Sequence, residues 1–290
     1  MSAMAKKEER TAWLFIALPF LGFLLFMAYP ICFAVFASMS KWTGMNSLVD
    51  NFCGLQNYIN IFHDEKFWKS LLTTIIYLIG IPIGMILGLL LAMGMNRKIP
   101  GIRLLRTMYY VPVVSSLVAV SILWAWVYNY DYGLFNSIIK LLTGHHGPNW
   151  LGDEFWVKVA LIIFMVWKGL GTSIILYLAG LQNIPRNYYE AASIDGANGW
   201  QKFRHITVPL VSPVTFYIGG FQVFVEVQVM TNKGGTNYSA ATVVYYLYDK
   251  AFSNGQLGYG CALAVILAII IFIITALNFA GQDRWVKTMD

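Results

Sequence analysis

The stretch QNIPRNYYEAASIDGANGWQKFRHITVPLVSP, Gln182 to Pro213, is the longest polar interval on one side of a series of apolar segments. Pro185 can open a helix, because its missing N–H falls in the first turn, where it has no intrahelical partner. Tyr188, Tyr189, Ala191, Ala192 and Ile194 then supply a short helix with an apolar edge. Gly196 and Gly199 bracket Ala197-Asn198 and permit a tight turn. Trp200, Phe203 and Ile206 recur at i, i+3 and i+6 and predict the edge of a second helix. Pro209 and Pro213 mark entry into the next apolar run. A link that only joined two runs would need neither two helices nor two glycines. This surface looks made to be held by something else.

The composition around it is that of a membrane protein. The chain has 290 residues, 58% hydrophobic and only 12% charged. A soluble domain of this length would carry about twice that charge on its surface. The three cysteines, Cys32, Cys53 and Cys261, have no metal or redox spacing and read as apolar filler.

A helical span needs about 20 apolar residues. Six stretches meet that measure: Trp13–Phe36, Leu71–Met95, Tyr109–Tyr128, Val157–Ala179, Val211–Met230 and Gly260–Phe279. The predicted fold is therefore all-α and polytopic, with six transmembrane helices. Lys6, Lys7 and Arg10 precede the first stretch as in a signal peptide, but its apolar run is too long, and it reads as a retained span. Residues 1–12 form an N-terminal segment and 13–290 one transmembrane domain. Gly80, Gly84, Gly88 and Ala92 make a small-residue face on the second span, suited to close helix packing.

Lys and Arg fix the orientation. With the N-terminus inside, the inner segments hold twelve basic and six acidic residues, including all seven arginines. The outer segments, with Lys158 at the outer edge of the fourth span, hold seven of each sign. The net charge of +6 thus lies on one face of the membrane, which speaks for topology and against nucleic acid. Both termini and the Glu190 loop are expected in the cytoplasm. The inner basic residues suit anionic lipid head groups.

Glu190-Ala191-Ala192, Gly196 four residues after Ala192, then Ile206 and Val208-Pro209 match the EAA signature of ABC importer permeases. The chain resembles the sugar-type members of that family from Trp13 to Trp285. The form MTN-x-GG followed by T-x-x-YY-x-Y-x-x-AF, Met230 to Phe252, is similar to the first of the two paired sugar permeases, the group of the larger maltose-transport permease. The resemblance implies a bacterial or archaeal cell-membrane protein with the ABC importer permease fold. It implies that 182–210 is a coupling loop seated on an ATPase subunit, with Tyr189, Glu190, Ala191, Ala192, Asp195, Gly196, Ile206 and Pro209 carrying the contact. It also implies four kinds of partner: a homologous second permease in a heterodimer, two ATP-binding subunits that hold ATP and Mg, an extracytoplasmic sugar-binding protein, and the sugar itself. No cofactor is expected in this chain.

No catalytic constellation is visible, and no GxxxxGK[ST] loop is present. The chain reads as a transport subunit, not an enzyme, and its energy must come from a partner or an ion gradient. His145-His146 lacks a third ligand at useful spacing and reads as an exposed loop. Asp153-Glu154 reads as a solvated span end. The charges inside spans, Lys168 and Glu226, are the candidates for a transport path. A direct pair between them would have to bridge ~10 Å of depth. Trp167, Lys168, Gly169 and Thr172 offer an aromatic face, a cation and a hydroxyl, a chemistry that suits sugar. By the resemblance, Lys168, Gly169, Thr172, Phe216, Gly220 and Val223 match sugar-contact positions, and Gln222 and Glu226 lie beside them. The rival class is an ion-coupled secondary transporter using Glu226 and Lys168.

Overall fold

The computed structural model describes residues 3–96, 100–211 and 222–286. In chain order the helices are α1 (Ala3–Phe23), α2 (Tyr29–Ser38), α3 (Gln56–Phe62), α4 (Glu65–Tyr77), α5 (Gly80–Met95), α6 (Ile102–Val114), α7 (Leu117–Val127), α8 (Leu134–Thr143) and α9 (Trp156–Asn183). They continue as α10 (Arg186–Ile194), α11 (Gly199–Lys202), α12 (Val208–Val211), α13 (Val225–Met230), α14 (Val243–Tyr248) and α15 (Leu257–Val286). The described residues contain no strand, only a bridge between Ser40 and Phe52, as expected for an all-α chain.

Four helical runs among the described residues are long and apolar enough to cross a membrane: Thr11–Ser38, Glu65–Met95, Trp156–Asn183 and Leu257–Leu277. They fall on the first, second, fourth and sixth predicted spans. α9, with 28 residues, is about 42 Å long at 1.5 Å per residue. That exceeds the roughly 30 Å hydrocarbon layer. The third predicted span is not one straight helix. Leu104–Val114 and Leu117–Val127 are bent by 104°, because Ser115 and Ser116 between them are extended. Most of the fifth predicted span lies outside the described residues; α12 and α13 are its described ends. In the first span, α1 and α2 are joined by a wide π turn, Leu24–Ala28, where Tyr29 N–H reaches back to Leu24 O. Pro30 follows and has no N–H to continue an α ladder.

The chain divides into two compact units. The first comprises Met1–Asp64 and Tyr246–Ile274. Here buried Asn57 donates to the carbonyls of Ser38 (2.8 Å) and Ser40 (2.9 Å). Gly258 is required by close approach: a Cβ there would stand 1.9 Å from Ser40 O. The Asp64 carboxylate accepts from the hydroxyls of Tyr246 and Tyr259.

The second unit comprises Glu65–Tyr245 and Thr275–Asp290. It has two buried clusters along α9. One gathers Trp124, Tyr128, Trp150, Phe164 and Val227 toward the Trp156 end. Tyr128 OH donates to Ala160 O at 2.8 Å there, so the buried hydroxyl is satisfied. The other gathers Ala92, Met95, Ile174, Tyr177, Leu178, Leu181, Ile184 and Val211 toward the Asn183 end. Gly80 and Gly88 of the small-residue face of α5 pack on α9, whereas no neighbour lies within 4 Å of a Cβ built at Gly84. A Cβ at Gly80 would meet Ile162 and Val166, and one at Gly88 would stand 2.7 Å from Ser173 Cβ.

Candidate functional site

The 182–210 loop folds as the two short helices predicted, α10 and α11. Pro185 stands at the N-cap of α10, one residue before the expected first helical position, with φ −61° and ψ 137°. Asp195 is its C-cap and Gly196 follows with φ +77°. Ala197 N donates to Ala192 O (2.8 Å) and Gly196 N to Ser193 O (3.2 Å). This is a Schellman arrangement, which uses the last orphan carbonyls of the helix and needs a residue comfortable at positive φ. Gly199 does not share that requirement, since it is the first residue of α11.

The start of α11 holds a device that the sequence reading missed. Asn198 Oδ1 accepts from Gln201 N (2.9 Å), and Gln201 Oε1 accepts from Asn198 N (2.7 Å). This reciprocal capping box satisfies two donors at once. Its sequence signal, Asn followed three residues later by Gln, was there to be read. Lys202 Nζ donates to Ser193 Oγ at 2.7 Å and ties the second helix to the first.

The loop therefore has two faces. Outward stand Glu190, Ala191, Asp195 and Gly196, all exposed, with Ile194 at 87% and Trp200 at 66% exposure. Inward, Tyr189 and Ile206 pack on the cluster at the Asn183 end of α9. Ala192 and Pro209 are half-buried between these extremes. The Tyr189 hydroxyl meets Thr207 Oγ1 at 3.0 Å. Large apolar side chains thus stand exposed on an otherwise polar loop, and the inward pair joins the loop to the cluster of α5 and α9.

The span residues are placed less uniformly. Lys168 donates to the carbonyls of Pro112 and Ser115, the latter at 2.9 Å. Those carbonyls sit at the C-terminal end of α6, where the bend leaves them without helical partners. A cation there also complements the helix dipole. Glu226 lies within electrostatic reach of Lys168, but the ammonium is given to the backbone. Trp167 packs on Trp124 with ring centres 5.0 Å apart. Gly169 and Thr172 are exposed on one face of α9, and no neighbour lies within 4 Å of a Cβ built at Gly169. Gln222 is exposed, Glu226 half-buried, and Val223 buried against the aromatic cluster. Phe216 and Gly220 lie outside the described residues.

Two polar segments of the second unit hold one another near the start of α9. Thr236 Oγ1 donates to Gly152 O, Asn237 Nδ2 to Glu154, and Lys69 Nζ to Asn237 O. Asp153 Oδ1 accepts from Phe155 N and Trp156 N and caps the entry to α9.

Residues 80–286 match the family described as binding-protein-dependent transport system inner membrane component. The chain is 33% identical to the lactose transport system permease protein LacF of Rhizobium radiobacter, over 98% of each chain. It is 32% identical to the arabinooligosaccharides transport system permease protein AraP of Bacillus subtilis, over 93% of this chain and 88% of that one. A crystal structure of a bacterial alginate ABC transporter, in complex with an alginate pentasaccharide-bound periplasmic protein, aligns over 96% of each chain with a TM-score of 0.80 and 20% identity. That last likeness speaks for the fold.

Proposed function

The chain belongs to the binding-protein-dependent transport system inner membrane components, and on that premise we propose that it is the sugar-conducting permease of an ATP-driven importer, coupled to its motor through the Glu190–Pro209 loop. Family membership makes it a membrane permease subunit and leaves the ion-coupled reading without support. The finer assignments rest on chemistry. The observation that carries the coupling role is the two-faced loop: Ile194 and Trp200 outward, Tyr189 and Ile206 inward on the α5–α9 cluster. A body that pressed on the first pair would move the second.

The proposed substrates are oligosaccharides or related sugars, the class carried by the relatives named for lactose and arabinooligosaccharides. The exposed face of α9 at Gly169 and Thr172, with Gln222 and Glu226, offers hydroxyl, amide and carboxylate groups to a sugar. Trp167 and Val223 pack in the buried aromatic cluster and Lys168 holds carbonyls at the end of α6; Phe216 and Gly220 are carried over from the resemblance alone. The proposed assembly adds a homologous second permease, two ATPases that bind ATP and Mg, and an external sugar-binding protein. Both termini and the coupling loop face the cytoplasm, and 13–290 act as one transmembrane domain.

The test is to tag the chain, extract it in mild detergent and identify what co-purifies. Recovery of a Walker-motif ATPase and a second permease, with sugar-stimulated ATP hydrolysis after reconstitution, supports the reading. A chain that emerges alone and ignores ATP in proteoliposomes overturns it.

A further inference from the structure

The apolar residues of α8 form one broad arc, of which one edge packs on the protein and the rest is exposed. Its sequence, LFNSIIKLLT, places Phe135 and Ile139 against the buried aromatic cluster. Asn136, 2% exposed, locks that side: it accepts from Trp150 Nε1 at 2.8 Å and donates to the carbonyls of Tyr130 and Pro148. The helix can therefore not roll about its axis without breaking a satisfied buried amide. Next to the Phe135–Ile139 edge, Leu134, Ile138, Leu141 and Leu142 recur at i, i+4, i+7 and i+8, one apolar stripe of about 100° at helical pitch. Leu141 is 84% exposed and Leu142 78%.

The position of this stripe says what covers it. α8 begins seven residues after the end of α7, the second half of the bent membrane pair. The connection is drawn tight at Gly133, where a Cβ would stand 2.2 Å from Asn129 O and 2.6 Å from Val127 O. α8 is thus held close to the end of α7. The exposed apolar surface of α7, at Ile122, Leu123 and Trp126, runs up to the same point of the chain. From Leu134 to Asn149 there is no acidic residue, and Lys140 stands with Ser137 on the exposed polar face away from the stripe. Apolar stripe, a cation on the polar face and attachment to a span end are the features of a helix lying in the lipid interface.

We propose that α8 lies in the membrane interface as a half-embedded helix, its Leu134–Ile138–Leu141–Leu142 stripe among acyl chains and its Phe135–Ile139 side on the protein core. It fastens the bent α6–α7 pair to the bilayer surface as well as to α9.

The test uses the assembled transporter in phosphatidylethanolamine–phosphatidylglycerol vesicles. Cys32, Cys53 and Cys261 are replaced by Ala, and single cysteines are introduced as L141C, L142C and K140C for an environment-sensitive fluorophore. The expected result is bluer emission at 141 and 142 than at 140, and several-fold stronger quenching by lipids spin-labelled near the head of the acyl chain. Equal quenching at all three positions, with free access of a water-soluble thiol reagent, overturns the proposal. Protection at 141 and 142 without lipid quenching also overturns it, because a protein partner then covers the stripe.

Discussion

The hydroxyls of Tyr189 and Thr207 stand 3.0 Å apart, eighteen residues from one another in the chain, and close the base of the α10–α11 pair. Thr207 is buried and Tyr189 is half-buried. A single neutral hydrogen bond of this kind contributes about 1 kcal/mol. Tyr189→Phe should therefore leave the spans folded and lower the coupling of ATP hydrolysis to uptake. Thr207→Val should do the same, and the double variant should be no worse than either. Uptake per ATP in proteoliposomes measures it; additive losses would show that the two hydroxyls do not act on one another.

Gly196 is at φ +77° with open space where a Cβ would go. Substitution there costs backbone strain and not collision. Asn tolerates this region better than Ala, and a β-branched residue tolerates it worst. Transport should fall in the order Gly, Asn, Ala, Val, with a loss of about 1 kcal/mol for Ala. Equal activity of Gly196→Val and wild type would dismiss the Schellman turn as a functional element.

Lys168 serves carbonyls of α6. Hydrogen bonds from a charged donor contribute about 2 kcal/mol. Lys168→Met should lower the detergent melting temperature by several degrees and the maximal transport rate, with the apparent substrate affinity unchanged. Lys168→Arg should recover part of both. A large change in KM with unchanged stability would instead place the ammonium on the sugar.

Gly88 and Gly84 sit one turn apart on α5 with opposite surroundings. A Cβ at Gly88 collides with Ser173, whereas nothing lies within 4 Å of one at Gly84. Gly84→Ala should be silent or slightly stabilising by helix propensity, about 1 kcal/mol. Gly88→Val should abolish assembly. Thermal unfolding and detergent gel filtration of the two variants decide it.

The 182–210 loop was legible because its constraints are local. Prolines, glycines and the EAA spacing name a helix–turn–helix, and α10 and α11 followed. The first, second, fourth and sixth spans were legible by length and apolarity, and most of the fifth lies outside the described residues. The bend in the third was not legible. Pro112 was visible in Tyr109–Tyr128, but what breaks the run is the extended pair Ser115-Ser116, and two serines in an apolar window carry no warning. Lys168 was singled out as a charge inside a span, expected on the transport path; it is half-buried. Its immediate partners are carbonyl oxygens, and every residue has one, so no reading of side-chain types could find them. The ~10 Å depth gap to Glu226 already spoke against a direct pair.

The wide turn at Phe203–Thr207 is a π segment between α11 and α12. Trp200 and Val211 flank it, eleven residues apart. In an uninterrupted α-helix that spacing is about three full turns, and the two would point the same way. Here Trp200 is 66% exposed and Val211 only 6%. A turn that takes an extra residue shifts the helical phase of everything after it. One spare backbone unit thus offsets the phase of Val211 from that of Trp200, so that a single helical run exposes the tryptophan while the valine beyond the turn seals against Gly180 of α9, 3.1 Å from where a Cβ would be.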